Sequence, residues 1–175
     1  MPTDPGTTPV ALTIASSDSG GGAGIQADLK AFARCGVHGL SAVVALTAQN
    51  TLGVSAIHEC PPDFVTAQLA AVFADLPPGA VKTGMLLSAP IIEAVAADLA
   101  DRDVALVLDP VMIASSGARL LRADAVQALV ELLFPLATVI TPNLMEAQAL
   151  TGRDTEDRAV LAQALVGMGA RAALV

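Results

Sequence analysis

Val104-Ala-Leu-Val-Leu108 is an uninterrupted apolar run that stops at Asp109-Pro110. A strand with one wet face alternates apolar and polar residues. A run without alternation is expected where both faces of a sheet are covered, as in parallel α/β folds. The chain on either side repeats the theme. Val10–Ala15, Ser41–Leu46, Val54–Cys60 and Ala80–Thr83 read as strands upstream, and Ala137–Ile140 and Arg171–Val175 downstream. Longer stretches between them read as helices: Gly24–Cys35, Asp63–Leu76, Pro90–Ala100, Ala123–Leu133, Leu144–Leu150 and Thr155–Met168. In the first of these Ile25, Leu29 and Phe32 recur at helical spacing, and Gly36 suits the left-handed residue that ends a helix. Such β/α alternation predicts a mostly parallel central sheet with helices on both faces. Arg171–Val175, read as a last buried strand with nothing after it, would present a bare apolar edge open to another chain.

Composition narrows the function classes. The chain has 175 residues, 54% hydrophobic and 15% charged, which opposes disorder and implies a large core. Nine Lys and Arg against seventeen Asp and Glu give a net charge of −8, so the basic footprint of a nucleic-acid binder is missing. No cluster of Lys or Arg suits an anionic membrane. Gly39–Ile57 is the longest stretch that could suggest a membrane helix, and Ser41, Gln49, Asn50, Gly53 and Ser55 interrupt it. Cys35 and Cys60 stand far apart, which opposes a disulfide framework or a zinc site, and both read as reduced, partly buried hydrophobes. Residues 1–9 read as a flexible lead-in without the features of a signal peptide, and a cytoplasmic location is expected. A small molecule is the expected partner.

In an open α/β sheet, ligands bind outside the carboxyl ends of the strands. Five strand ends carry polar or glycine residues: Ser16-Ser-Asp-Ser-Gly-Gly-Gly-Ala-Gly24, Thr47-Ala-Gln-Asn50, Lys82-Thr-Gly-Met85, Asp109-Pro-Val-Met112 and Thr141-Pro-Asn-Leu-Met-Glu146. One such end means little; five on the same edge make a site. The glycine loop matches neither G-x-x-x-x-G-K-[ST] nor G-x-G-x-x-G, because Ile25 stands where the last glycine would be. It reads either as a tight strand-to-helix turn or as a place where free backbone N–H groups meet a ligand. Asp28 faces the same space or simply favours the helix dipole. The Gln49 carboxamide can pair with a ring nitrogen and a neighbouring amine, or satisfy loop backbone. Asp109 and Glu146 suit Mg²⁺, or are an N-cap and a solvated acid. Asn143 is equally an N-cap. His38 and His58 lie in or beside loops with no hydrolase pattern around them and read as surface or packing residues.

ALTIASSDSGGGAGIQADLKAF, ALTAQNT, VKTGM, LDPVM…SSG and ATVITPNLMEAQALTG occur in an order and spacing that resembles the hydroxymethylpyrimidine/phosphomethylpyrimidine kinases of thiamin biosynthesis. These have the ribokinase-like fold. The resemblance runs from about Val10 to Val175. It implies ATP- and Mg²⁺-dependent phosphorylation of 4-amino-5-hydroxymethyl-2-methylpyrimidine and then of its monophosphate. It implies that Gln49 reads the aminopyrimidine edge, with Asp28, Ala23, Met85 and Val111 lining the same pocket. Asp109 and Glu146 are implied at the metal, Asn143 and Lys82 on the phosphate and nucleotide side, and a homodimer as the assembly.

Some positions depart from the family pattern. Ser115 stands for a common Lys, Met145 for a usual Pro and Thr83 for a usual Ile. The resemblance places the catalytic base, Cys or Asp, beyond Val175. Residues 10–175 are then expected to be the N-terminal portion of one kinase domain, lacking the C-terminal part of the fold. Two other readings are kept: a pyridoxine or pyridoxal kinase, and a non-catalytic pyrimidine-binding module.

Overall fold

Six strands form one sheet in the computed structural model, which describes residues 8–112, 121 and 123–175. They are β1 (Val10–Asp18), β2 (His38–Asn50), β3 (Gly53–Glu59), β4 (Ala80–Thr83), β5 (Ala105–Leu108) and β6 (Val139–Ile140). The order across the sheet is β3-β2-β1-β4-β5-β6. All neighbours are parallel except β2 and β3, an antiparallel pair joined by a tight turn. From β1 the chain first builds outward through β2 and β3, then returns to place β4 on the other side. The order therefore reverses at β1, and the crevice there is where a doubly wound sheet accepts a ligand.

The helices are α1 (Gly24–Arg34), α2 (Pro62–Asp75), α3 (Ala89–Leu99), α4 (Ala123–Ala128), α5 (Leu144–Thr151) and α6 (Arg158–Gly167). Sheet parity assigns their sides. Leu12 and Ile14 of β1 join Val65 and Leu69 of α2 and Ile91, Ile92 and Val95 of α3 in a buried cluster. The alternate residue Thr13 bonds to Asp28 of α1 instead. On that same face a Cβ added at Gly39 of β2 would meet the side chains of Leu29 and Phe32. Helices therefore cover both faces, and the main core lies on the α2–α3 side. Among the described residues no helix is long and apolar enough to cross a membrane.

Four sequence readings change. Burial along β5 alternates: Leu106 and Leu108 are buried, Val107 is half-buried and Ala105 is exposed. The reason is that α1 packs on β1 and β2, leaving that face of β5 less covered than its apolar run suggested. The expected helix over residues 123–133 is α-helical only to Ala128, then continues as a π-helical turn Leu129–Leu133 and a 3-10 turn Phe134–Leu136. Arg171–Val175 is not a buried strand. It meets β6 through a single bridge, with the Ile140 N–H donating to Ala172 and the Leu174 N–H to Ile140, and Leu174 is exposed. With β6 only two residues long, no longer ladder forms. Cys35 is exposed rather than partly buried. Most of the lead-in, residues 1–7, and Ser115 lie outside the described residues.

Candidate active site

A cavity of about 520 Å³ opens at the carboxyl ends of β1, β2, β4 and β5, within the range of small-molecule sites. Of the residues singled out from the sequence, Ala23, Asp28, Gln49, Lys82, Met85, Asp109 and Val111 line it. Asn143 and Glu146 are not in its lining. They build the start of α5 behind Asp109.

The glycine loop is shaped from within. Asp18, at the end of β1, is nearly buried, and its Oδ1 accepts the Gly20 N–H at 2.7 Å. Its Oδ2 accepts those of Gly22 and Ala23 at 2.9 and 2.8 Å, and its carbonyl takes the Gly21 N–H. Burial pushes this carboxyl up, but the loop amides outweigh burial and hold it below its ordinary value. Three loop N–H groups, those of Gly20, Gly22 and Ala23, are thus held by an internal carboxylate, and that of Gly21 by the Asp18 carbonyl. Gln26 completes the brace, accepting the Asp18 N–H and donating to Ser17. Gly24 admits no side chain: its φ is +57°, and a Cβ would lie 2.2 Å from the Ser16 carbonyl oxygen. Asp18 was legible as part of the motif, but its task was not. An Asp before Ser-Gly-Gly, a residue type prone to bonding its own following backbone, was the available signal.

Four polar groups meet on the floor. Lys82 Nζ lies 3.1 and 3.2 Å from the two carboxylate oxygens of Asp28 and 3.5 Å from Asp109 Oδ2. Thr13 Oγ1 donates to Asp28 Oδ2 at 2.6 Å. Thr13 was missed from the sequence; its signal is a lone hydroxyl in the apolar run of β1. Burial pushes the Asp109 carboxyl up, Lys82 pulls it back, and Asp28 adds repulsion, leaving it raised.

β2 runs through Asn50, so Gln49 belongs to the strand rather than to a loop beyond it. The Ser19 hydroxyl donates to the Gln49 carbonyl at 2.7 Å and lies 2.8 Å from the Gln49 N–H. Thr47 Oγ1 lies 3.1 Å from Gln49 Oε1. Across the cavity Ser16 Oγ donates to the Met85 carbonyl at 3.2 Å, tying the β4 end to β1.

Asn143 caps α5 as its N-cap reading expects. Its Oδ1 accepts the Glu146 N–H, and Glu146 Oε2 accepts the Asn143 N–H, each at 3.0 Å. Glu146 Oε1 also takes the Met112 N–H at 3.2 Å, linking the cap to the segment after Asp109. Burial raises the Glu146 carboxyl, the two backbone amides oppose this, and Asp109 raises it further. Among the described residues no group of three His, Cys, Asp or Glu gathers as a metal nest. Two hard-oxygen carboxylates close enough to repel nonetheless fit Mg²⁺, which takes one or two protein carboxylates and completes its shell with water and phosphate oxygens. His38 and His58 are exposed, away from the cavity lining.

The phosphomethylpyrimidine kinase family model matches residues 18–175. The chain is 52% identical over 170 residues to a hydroxymethylpyrimidine/phosphomethylpyrimidine kinase of Synechococcus elongatus, covering 95% of this chain and 65% of that relative. It therefore spans just under two thirds of that relative's length. Among solved structures, phosphomethylpyrimidine kinase from Clostridium difficile 630 superposes with a TM-score of 0.89 at 43% identity, over 95% of this chain and 74% of that one. Staphylococcus aureus pyridoxal kinase in complex with AMP-PCP and pyridoxal gives 0.81 at 34% identity, over 94% and 61%.

Proposed function

The chain belongs to the phosphomethylpyrimidine kinase family, and on that premise we propose that its cavity binds 4-amino-5-hydroxymethyl-2-methylpyrimidine for phosphorylation from ATP, a step of thiamin biosynthesis. The observation that carries this reading is the arrangement along one cavity of an amide, a carboxylate–ammonium group and a second carboxylate. Gln49 pairs with the polar edge of the ring. Asp28, fixed by Thr13 and Lys82, supplies an acceptor beside it. Ala23, Met85 and Val111 give the apolar surface against which a flat ring packs.

Asp109 and Glu146 are the residues that would hold Mg²⁺, which when bound neutralises charge on phosphate oxygens. Asn143 and Lys82 stand on the phosphate side of the same reading. Asn143 fixes Glu146 through the capping box, and Lys82 offsets part of the repulsion between Asp28 and Asp109. Phosphoryl transfer depends on positioning and charge stabilisation more than on covalent chemistry by the protein, and these are the tasks such contacts perform.

The test is incubation of the protein with ATP, Mg²⁺ and either the hydroxymethylpyrimidine or pyridoxal, with product and nucleotide followed by chromatography. Phosphorylated pyrimidine is expected, with pyridoxal the poorer acceptor. A clear preference for pyridoxal would overturn the substrate assignment. Saturable pyrimidine binding without any product would favour a binding module.

A further inference from the structure

The geometry around Gln49 points to Thr47 as the residue that decides which edge of the substrate is read, an inference that rests on the proposed pyrimidine reading. Thr47 is buried on β2, two residues before Gln49, and lines the same cavity. Its Oγ1 lies 3.0 Å from the Ser17 carbonyl oxygen and 3.1 Å from Gln49 Oε1. A hydroxyl has one proton and cannot donate to both acceptors.

The two acceptors differ in freedom. The Ser17 carbonyl is fixed in β1, at the register where β1 and β2 pair. The Gln49 carboxamide exchanges its oxygen and nitrogen by a half-turn about its last torsion. With the Thr47 proton given to Ser17, the lone pairs of Oγ1 remain for the amide. Turning the amide lets Nε2 donate to Thr47, so that the hydroxyl gives one bond and accepts one, and the Gln49 oxygen is left for a ligand. The backbone of Gln49 cannot shift to evade this, because Ser19 holds both its N–H and its carbonyl.

That half-turn has a consequence for recognition. It presents the Gln49 oxygen to the cavity, where an oxygen accepts a hydrogen bond and an amide nitrogen would donate one. A ring bearing an exocyclic amine supplies the matching donor; a ring bearing hydrogen or a carbonyl at that position does not. Thr47 thus acts through Gln49 as a positioning residue that selects aminopyrimidines. A site built to hydrogen-bond a substrate group rejects analogues lacking it strongly, because its buried partner is left unpaired.

Calorimetry with the hydroxymethylpyrimidine and its analogue lacking the exocyclic amine, on wild type, Thr47→Val and Thr47→Ser, tests this. Wild type and Thr47→Ser should favour the amine by about tenfold or more. Thr47→Val should lose most of that preference while binding the analogue within about twofold of wild type, an uncoupling that mere loosening of the fold would not give. Thr47→Val with the preference intact, or with both ligands weakened equally, would overturn the proposal.

A ligand-free measurement stands beside it. The Gln49 side-chain amide proton that bonds Thr47 should be displaced from its free-amide position in the NMR spectrum of wild type and Thr47→Ser, and move back toward that position in Thr47→Val. No difference between wild type and Thr47→Val would contradict the Thr47–Gln49 bond. Failure of wild type to bind either pyrimidine would instead overturn the functional reading, and the amide protons report on Thr47 independently of it.

Discussion

Lys82 Nζ lies 3.1 Å from Asp28 Oδ1, and the same ammonium reaches Asp109 Oδ2 at 3.5 Å. One cation therefore serves two carboxylates, Asp28 within α1 and Asp109 just past the end of β5. Replacing Lys82 by Met leaves the two acids facing each other. A half-buried, charge-assisted bond of this kind is worth on the order of 1–3 kcal/mol. Lys82→Met is expected to lower the thermal midpoint, and adding Asp28→Asn should restore part of the loss. A double-mutant cycle by thermal unfolding should give a coupling of about 1 kcal/mol; strict additivity would show that the pair does not interact in solution.

Asp18 carries a pH signature. Its carboxyl sits below its ordinary value of 3.8 in the folded protein, because the loop amides prefer the charged form. For an acid depressed on folding, the stabilisation is present above the unfolded value and is lost as pH falls through the folded one. Asp18→Asn should therefore cost about 2 kcal/mol near neutrality, where hydrogen bonds to a charged group are lost. The gap to wild type should close below pH 3.8. Denaturant titrations at several pH values check both the size and the direction.

Thr83 Oγ1 is fully buried and has no hydrogen-bond partner among the described residues. Its strand neighbours in the ladder are Ile14 and Leu108, both members of the apolar core. An unpaired buried hydroxyl costs about 1–3 kcal/mol. Thr83→Val, nearly the same shape without the hydroxyl, should raise the thermal midpoint. The family resemblance points the same way, since an Ile is usual there. A lower midpoint would mean that the hydroxyl has a partner in solution.

Burial raises both Asp109 and Glu146, and the nearby charge of Asp109 raises Glu146 further. A divalent cation between them would relieve that repulsion. Millimolar Mg²⁺ should therefore raise the thermal midpoint of wild type, and leave Asp109→Asn unmoved. A shift of equal size in both would place the cation elsewhere.

The strand ends were readable because a parallel sheet dictates where ligands go. Gln49, Asp28, Lys82 and Asp109 could each be nominated from position alone, and all four line the cavity. The supporting contacts were not readable. Thr13 and Asp28 stand 15 residues apart and Lys82 and Asp28 stand 54 apart, and no local pattern announces such pairs. The bracing of the glycine loop was hidden for a related reason: its composition suits a tight turn and a ligand's approach alike, and does not announce that Asp18 takes the Gly20, Gly22 and Ala23 N–H groups. Val104–Leu108 erred in the other direction, since an apolar run states what a strand could bury and not what covers it. The cap at Asn143 was legible because its partner Glu146 is three residues away.

The central claim is that this cavity recognises an aminopyrimidine through Gln49 and Asp28. The most direct measurement is a calorimetric titration of 4-amino-5-hydroxymethyl-2-methylpyrimidine into the wild-type protein and Gln49→Ala. Saturable one-to-one binding to wild type, weakened about tenfold or more in the variant, is the predicted result, corresponding to about 1.4 kcal/mol. No saturable heat with wild type, or equal affinity in the two proteins, would contradict the account.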